Sequence, residues 1–199
     1  MKPISILQVK FSDEKRFMVW TDGPVRVWSR SDECFAGGKT KRTVKNKKGI
    51  MVWLGISSDG SSRLVRCPDR MDSAQYQSCV LTPCLNFLRH PNPARRDSVV
   101  FMQDGASCHT SRSTLDFLRT HHVNLLTPWP AMSPDLNPVE HCWSWLAARL
   151  VGKFFPTTNA LWEAFEWSGK PPSLIPSPYG SMVRRLTAVQ CARGGNNRY

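Results

Sequence analysis

Asp13 in FSDEKRF, Asp104 in QDGA and Glu140 in NPVEH lie far apart along the chain, yet each falls where an element ends or begins. Asp13 follows an apolar run of strand type, Asp104 closes a later one, and Glu140 opens a helix-like segment after a third. Such points are fixed by the scaffold and reach solvent, so side chains on them can converge from distant parts of a sequence. Three converging carboxylates form an all-oxygen site for a hard cation such as Mg²⁺ or Mn²⁺. Two such ions about 3.5–4 Å apart activate an attacking oxygen and stabilise a leaving one, the chemistry of phosphodiester cleavage. Singly, each acid is an ordinary surface residue.

Each candidate has a structural reading beside the chemical one. Asn137-Pro138-Val139-Glu140 places a capping residue, a proline at the first helical position and an acid at the third, the pattern of a capping box. Asp135, in Ser-Pro-Asp-Leu-Asn, has the type and place of a turn-stabilising residue. His109 could act as a base, but a lone histidine at the mouth of a helix reads first as a hydrogen-bonding scaffold residue. Cys108 beside it invites a Cys–His nucleophile, although adjacent residues rarely present both groups to one substrate. Trp129 and Trp143 flank Glu140 and are read as walls of the site or as surfaces for DNA bases.

The elements that would carry these residues are strands first and helices later. Residues 4–11, 17–20, 25–28, 50–56 and 63–66 are short and rich in β-branched and aromatic side chains, with Asp22-Gly23-Pro24 and Ser58-Asp59-Gly60 as hairpin turns. From Ser73, read as an N-cap, Tyr76, Val80, Cys84 and Leu88 recur every fourth residue, which predicts a helix that Pro83 must kink or break. Residues 98–102 predict a strand ending at Gln103-Asp104, 111–121 a helix, and 123–129 another short strand. The resulting order, β-β-β-α-β-α-β-α, is that of a mixed α/β chain.

Composition bounds the partners. A chain of 199 residues, 41% hydrophobic, is enough for one substantial core. It contains no run of ~18 apolar residues, and its first residues carry charges where a signal peptide needs an apolar stretch, so we read it as soluble and intracellular with no membrane partner. Seven scattered cysteines without a C-x-x-C pair predict buried free thiols rather than a zinc site or disulfide framework. The formal net charge of +12 favours a polyanionic partner, nucleic acid first. Lys39, Lys41, Arg42, Lys45, Lys47 and Lys48 crowd one glycine-bounded stretch, GGKTKRTVKNKKG, which reads either as a solvated loop or as a nucleic-acid contact; Arg184, Arg185, Arg193 and Arg198 add a second basic cluster.

QDGASCHTSR at 103–112 and WPAMSPDLNPVEHCWSWL at 129–146, with FSDEKRFMVW at 11–20, GIMVWLGISSDG at 49–60 and SMVRRLTAVQCARGGNNRY at 181–199, resemble in order the catalytic domain of mariner-superfamily DDE transposases. The resemblance implies a ribonuclease-H-like fold, a mixed sheet flanked by helices. Residues 1–155 would be its core, and 156–199 a helical, proline-interrupted extension of the same domain. It assigns Asp13, Asp104 and Glu140 as the triad that binds two Mg²⁺ or Mn²⁺ ions. Water then cleaves DNA at the element ends, and the freed 3′-hydroxyl attacks target DNA. It further implies DNA ends and target as partners, a homodimer, no small-molecule substrate, and a nuclear location. Relatives carry an N-terminal pair of helix-turn-helix units that this sequence is expected to lack, and Pro171, Pro172, Pro176 and Pro178 interrupt a segment that is helical in them. Two readings stay open: a competent DNA-cutting domain, or a decayed or co-opted one that binds nucleic acid or a partner without cutting. A nuclease acting on RNA–DNA hybrids ranks last.

Overall fold

The computed structural model describes residues 5–19, 48–90, 92–130, 133–167, 179 and 182. The strand expected at 25–28, the turn Asp22-Gly23-Pro24, Lys39, Lys41, Arg42, Lys45, Lys47, the second arginine cluster, the four prolines of 171–178, Cys34 and Cys191 lie outside these residues, whereas Lys48 lies within them, exposed.

Residues 4–11 and 17–20 do not form two strands. A single strand, β1 (Val9–Met18), runs through the polar stretch between them, so Asp13 sits in mid-strand and not beyond a strand's end. The charges that read as a break are compatible with a strand because they alternate. Phe11, Asp13, Lys15 and Phe17 share one face and Ser12, Glu14 and Arg16 the other. Pairing with β2 along its whole length then holds the polar middle extended. β2 (Gly49–Ser57) pairs antiparallel with Asp13 opposite Leu54 and Glu14 opposite Trp53. β5 (Val100–Met102) pairs parallel with Phe11 opposite Met102. β3 (Gly60–Ser61) and β4 (Val65–Cys67) both pair with β2. The described strands thus form one mixed five-stranded sheet in which β1 is flanked by β2 and β5. The hairpin at Ser58-Asp59-Gly60 forms as expected, with Gly60 at φ +146°, a region L side chains rarely adopt.

Alternation on β2 feeds two separate cores. Val52, Leu54 and Ile56 point to one side, where they pack with Phe11, Phe17 and helices α5 (Val139–Leu150) and α6 (Thr158–Trp167). Trp53 points to the other, among Tyr76, Val80, Leu81, Leu88, Phe101 and Leu118. The second side is covered by α1 (Ser73–Tyr76), α2 (Thr82–Leu88), α3 (Ser107–Thr110) and α4 (Arg112–Thr120). Tyr179 and Met182 also reach the first core; the Tyr179 hydroxyl lies 2.8 Å from Val9 O and 3.0 Å from Ile56 O, its one proton shared between adjacent strands. Cys67, Cys84 and Cys142 are buried free thiols, as the spacing predicts, whereas the free thiols Cys79 and Cys108 are only half-buried.

Four local expectations need correction. The helix from residue 73 is capped by Asp72, whose carboxylate accepts from Gln75 N, rather than by Ser73. Pro83 does not break it. The helix widens to a π-wound turn over Gln77–Leu81, placing the proline, which has no N–H to give, in the first turn of α2. Residues 123–129 form no strand beyond a single parallel bridge between Leu125 and Phe101, because Pro128 and Pro130 have no N–H with which to continue a ladder. The strand expected from Ser98 begins at Val100, since residues 93–98 form a 3₁₀ turn capped by Asn92.

Candidate active site

Asp13, Asp104 and Glu140 line one cleft, together with Met102, Gly105, Ala106, Trp129, Pro130, Ser133, Pro134 and Asn137. Asp13 reaches it from the α5 face of β1, Asp104 from the turn after β5, and Glu140 from the start of α5. The parallel pairing of Phe11 with Met102 brings the first two acids to neighbouring strands.

The third is brought in by Asn137. This buried side chain donates from Nδ2 to Ser12 O at 3.1 Å and accepts from Val139 N at 3.2 Å, which ties β1 to the first turn of α5. The expected capping box is not formed. Pro138 is the N-cap, Glu140 is the second residue of the helix, and its carboxylate turns away from the cap to meet Lys15 Nζ at 3.5 Å. Asp135 lies in the single turn Pro134–Leu136 that precedes the helix, the structural place its sequence context indicates.

Asp13 has its carboxyl raised. Burial pushes its carboxyl up to about 7, against the hydrogen bond donated by Trp143 Nε1 to Oδ2 at 2.8 Å, while the nearby charges of Glu14 and Glu140 raise it further. A cation in the cleft would remove that penalty. The donor set is all oxygen, which suits Mg²⁺ or Mn²⁺. Trp129 closes one side of the cleft, edge-on to Phe11 at 6.0 Å. Of the two tryptophans read as walls, Trp129 is one; Trp143 is buried and serves Asp13 through its indole N–H.

Asp104 is held from behind. Its Oδ1 accepts from Ala106 N at 3.0 Å and faces His109 Nδ1 at 2.6 Å, and the histidine bond is the main cause holding its carboxyl below the usual range. The other ring nitrogen of His109 lies 3.3 Å from Glu14 Oε1, close enough for an ion pair but without hydrogen-bond alignment. Burial alone would lower the imidazole; the bond to Asp104 and the charge of Glu14 outweigh it and push the ring up to about 10, so it stands as a cation between two carboxylates. Glu14, Asp104 and His109 bring ligand atoms within 4.8 Å of one another. The ring nitrogens face opposite carboxylates from opposite edges, however, which is the geometry of a bridge rather than of three donors around one ion.

Glu14, Lys15, Gln103 and Asn137's bond to the strand escaped the sequence reading. The alternation of β1 was the available signal, since it separates Asp13 from Glu14 and puts Lys15 beside Asp13. Gln103 accepts from the Tyr76 hydroxyl at 2.9 Å and donates to His109 O at 3.1 Å, a buried pair of hydrogen bonds that no spacing announces. His109 holds the scaffold place expected of it, and Cys108 is not among the residues lining the cleft.

A DDE superfamily endonuclease domain model matches residues 8–161. The chain is 31% identical over 210 residues to the Tc3 transposase of Caenorhabditis elegans, covering 96% of this chain and 58% of that protein. It is 34% identical over 193 residues to the Tcb1 transposase of Caenorhabditis briggsae, covering 95% and 69% respectively. The chain therefore spans between about half and two thirds of the length of these relatives. The crystal structure of the Mos1 mariner transposase catalytic domain is similar in fold, with a TM-score of 0.70 at 20% identity over 97% of this chain and 85% of that one. A pre-cleavage Mos1 transpososome gives 0.77 at 21% identity, over 97% and 58%. The fold is the expected ribonuclease-H-like mixed sheet flanked by helices.

Proposed function

The chain belongs to the DDE superfamily endonucleases, among the transposases of the Tc1/mariner group, and on that premise we propose that Asp13, Asp104 and Glu140 form a divalent-metal site for cutting DNA and joining the cut end to a target. The observation that carries this reading is the convergence, in one cleft, of three carboxylates from residues 13, 104 and 140. A bound pair of Mg²⁺ or Mn²⁺ ions would supply a nucleophilic oxygen at neutral pH and neutralise charge on the leaving one. The residues of the chain hold and aim. Trp143 fixes one oxygen of Asp13, His109 and Ala106 N fix Oδ1 of Asp104, and Asn137 sets the first turn of α5 against β1. Lys15, 3.5 Å from Glu140, is placed to trade that carboxylate for a DNA phosphate once a cation takes the acid. The basic stretch from Lys39 to Lys48 would bind the phosphate backbone without reading its sequence.

Solved Mos1 complexes include a paired-end complex with Mn and a strand transfer complex. By analogy, two copies of this chain would act on two element ends, in the nucleus, where the DNA is. The metal use of Mos1 supports Mg²⁺ or Mn²⁺ here, as does the all-oxygen donor set.

The test is nicking of a supercoiled duplex in Mg²⁺ or Mn²⁺ by the native chain and by Asp13→Ala, Asp104→Ala and Glu140→Ala. We expect metal-dependent nicking that each substitution lowers by at least about 100-fold, the scale on which such electrostatic stabilisation is lost. Equal nicking by all four proteins would remove the three acids from the reaction.

A further inference from the structure

We infer that Glu14 and His109 are positioning residues for Asp104, acting through the sheet from the face opposite the cleft. The inference rests on the metal-site reading above. Asp104 projects from the end of a strand of three residues, and its side chain is 58% exposed, so nothing in its own packing fixes its rotamer. His109 is 3% exposed and fixed on every side. Tyr76 packs on the ring face at 4.3 Å, Gln103 holds its carbonyl, and Glu14 faces its far nitrogen from β1. Together with Ala106 N, it takes both hydrogen bonds of Asp104 on Oδ1 and leaves Oδ2 without a partner among the described residues, the oxygen a cation in the cleft would use.

The arrangement matches a general device of metal sites, in which a ligand carboxylate is oriented by a hydrogen bond from a residue that does not itself touch the ion. Glu14 owes its place to alternation. It is the neighbour of Asp13, and its side chain opposes Trp53 across β2, on the far side of the sheet. One strand therefore carries an acid of the cleft and, one residue later, the acid that steadies the other strand's ligand.

Mn²⁺ binding to the full chain, followed by loss of the free-ion electron paramagnetic resonance signal, tests the inference without requiring turnover. His109→Leu is expected to weaken binding by about 10- to 100-fold. His109→Asn keeps a donor near the Nδ1 position and should recover most of that loss, whereas Glu14→Gln should give an intermediate weakening. A purely structural histidine would show no such rescue. Binding curves for His109→Leu and Glu14→Gln that coincide with the native curve would overturn the inference.

A measurement on the native protein stands beside the variants in case they do not fold. The ¹⁵N-bound Nδ1 proton of His109 should resonate far downfield and persist at saturating Mg²⁺, and its absence, or its loss on adding the ion, would overturn the inference as well. If Asp104→Asn binds Mn²⁺ as tightly as the native chain, the metal-site reading itself fails, an outcome separate from failure of the positioning role.

Discussion

The carboxyl of Asp13 is raised from an ordinary 3.8 to about 7, chiefly by burial and then by its acidic neighbours. Such a group favours folding fully below its unfolded value and loses that contribution as pH rises towards the folded one. The metal-free protein should accordingly lose stability between about pH 4 and pH 7 through this residue. Asp13→Asn, of the same shape but unable to ionise, should melt progressively higher than the native chain across that window, with a constant difference above it. Saturating Mg²⁺ should shrink the difference at pH 8 by stabilising only the native carboxylate. Thermal melts over a pH series, with and without Mg²⁺, check both. All three acids were legible as types at recognisable motifs, and Asp104 and Glu140 stand at the ends of elements as read. The environment of Asp13 was not legible, because its mid-strand burial and the Trp143 indole 130 positions away are products of the folded sheet.

Between elements, the connection that aligns the site is Asn137. Its amide spans from Ser12 O to Val139 N and fixes the start of α5 against the middle of β1. Asn137→Ala would leave a buried carbonyl and a helix-start N–H without these partners, for a cost of about 1–3 kcal/mol. Denaturant unfolding should show that loss, and nicking should fall further than stability alone explains, since Glu140 rides on the same turn. The sequence marked Asn137 as a helix-start residue, which is half of its role. Its donor reaches a residue 125 positions away, and no local pattern encodes such a bond. The strand of 49–57, the turn that follows it and the helix of 112–120 were legible because hydrophobic spacing and turn chemistry agree there, whereas the strand expected at 63–66 forms as two short pieces, 60–61 and 65–67. The polar middle of β1 was not, since FSDEKRF reads as a break until β2 pairs along it. The proline at 83 was expected to disturb a helix, and it does so by altered winding rather than by a stop.

For the whole molecule, a net charge of +12 predicts how the proposed binding to DNA would respond to salt. Affinity for a duplex should fall linearly on a log–log plot against salt, with a slope of about −0.9 for each phosphate neutralised. Changing Lys39, Lys41, Arg42, Lys45, Lys47 and Lys48 together to Gln should make that slope shallower, in proportion to the phosphates they no longer neutralise. Fluorescence anisotropy between about 50 and 200 mM salt measures it. An unchanged slope would assign polyanion binding to other cations. The sheet itself sets a further condition. Because Asp13 and Glu14 part to opposite faces, a slip of β1 by one position against its neighbours would turn Glu14 to the cleft and Asp13 to His109. The composition, the charge and most of the hydrogen-bonded ladder would survive such a slip, yet the two acids would have exchanged duties. Correct strand pairing during folding is thus as much a requirement for activity as the identity of the acids.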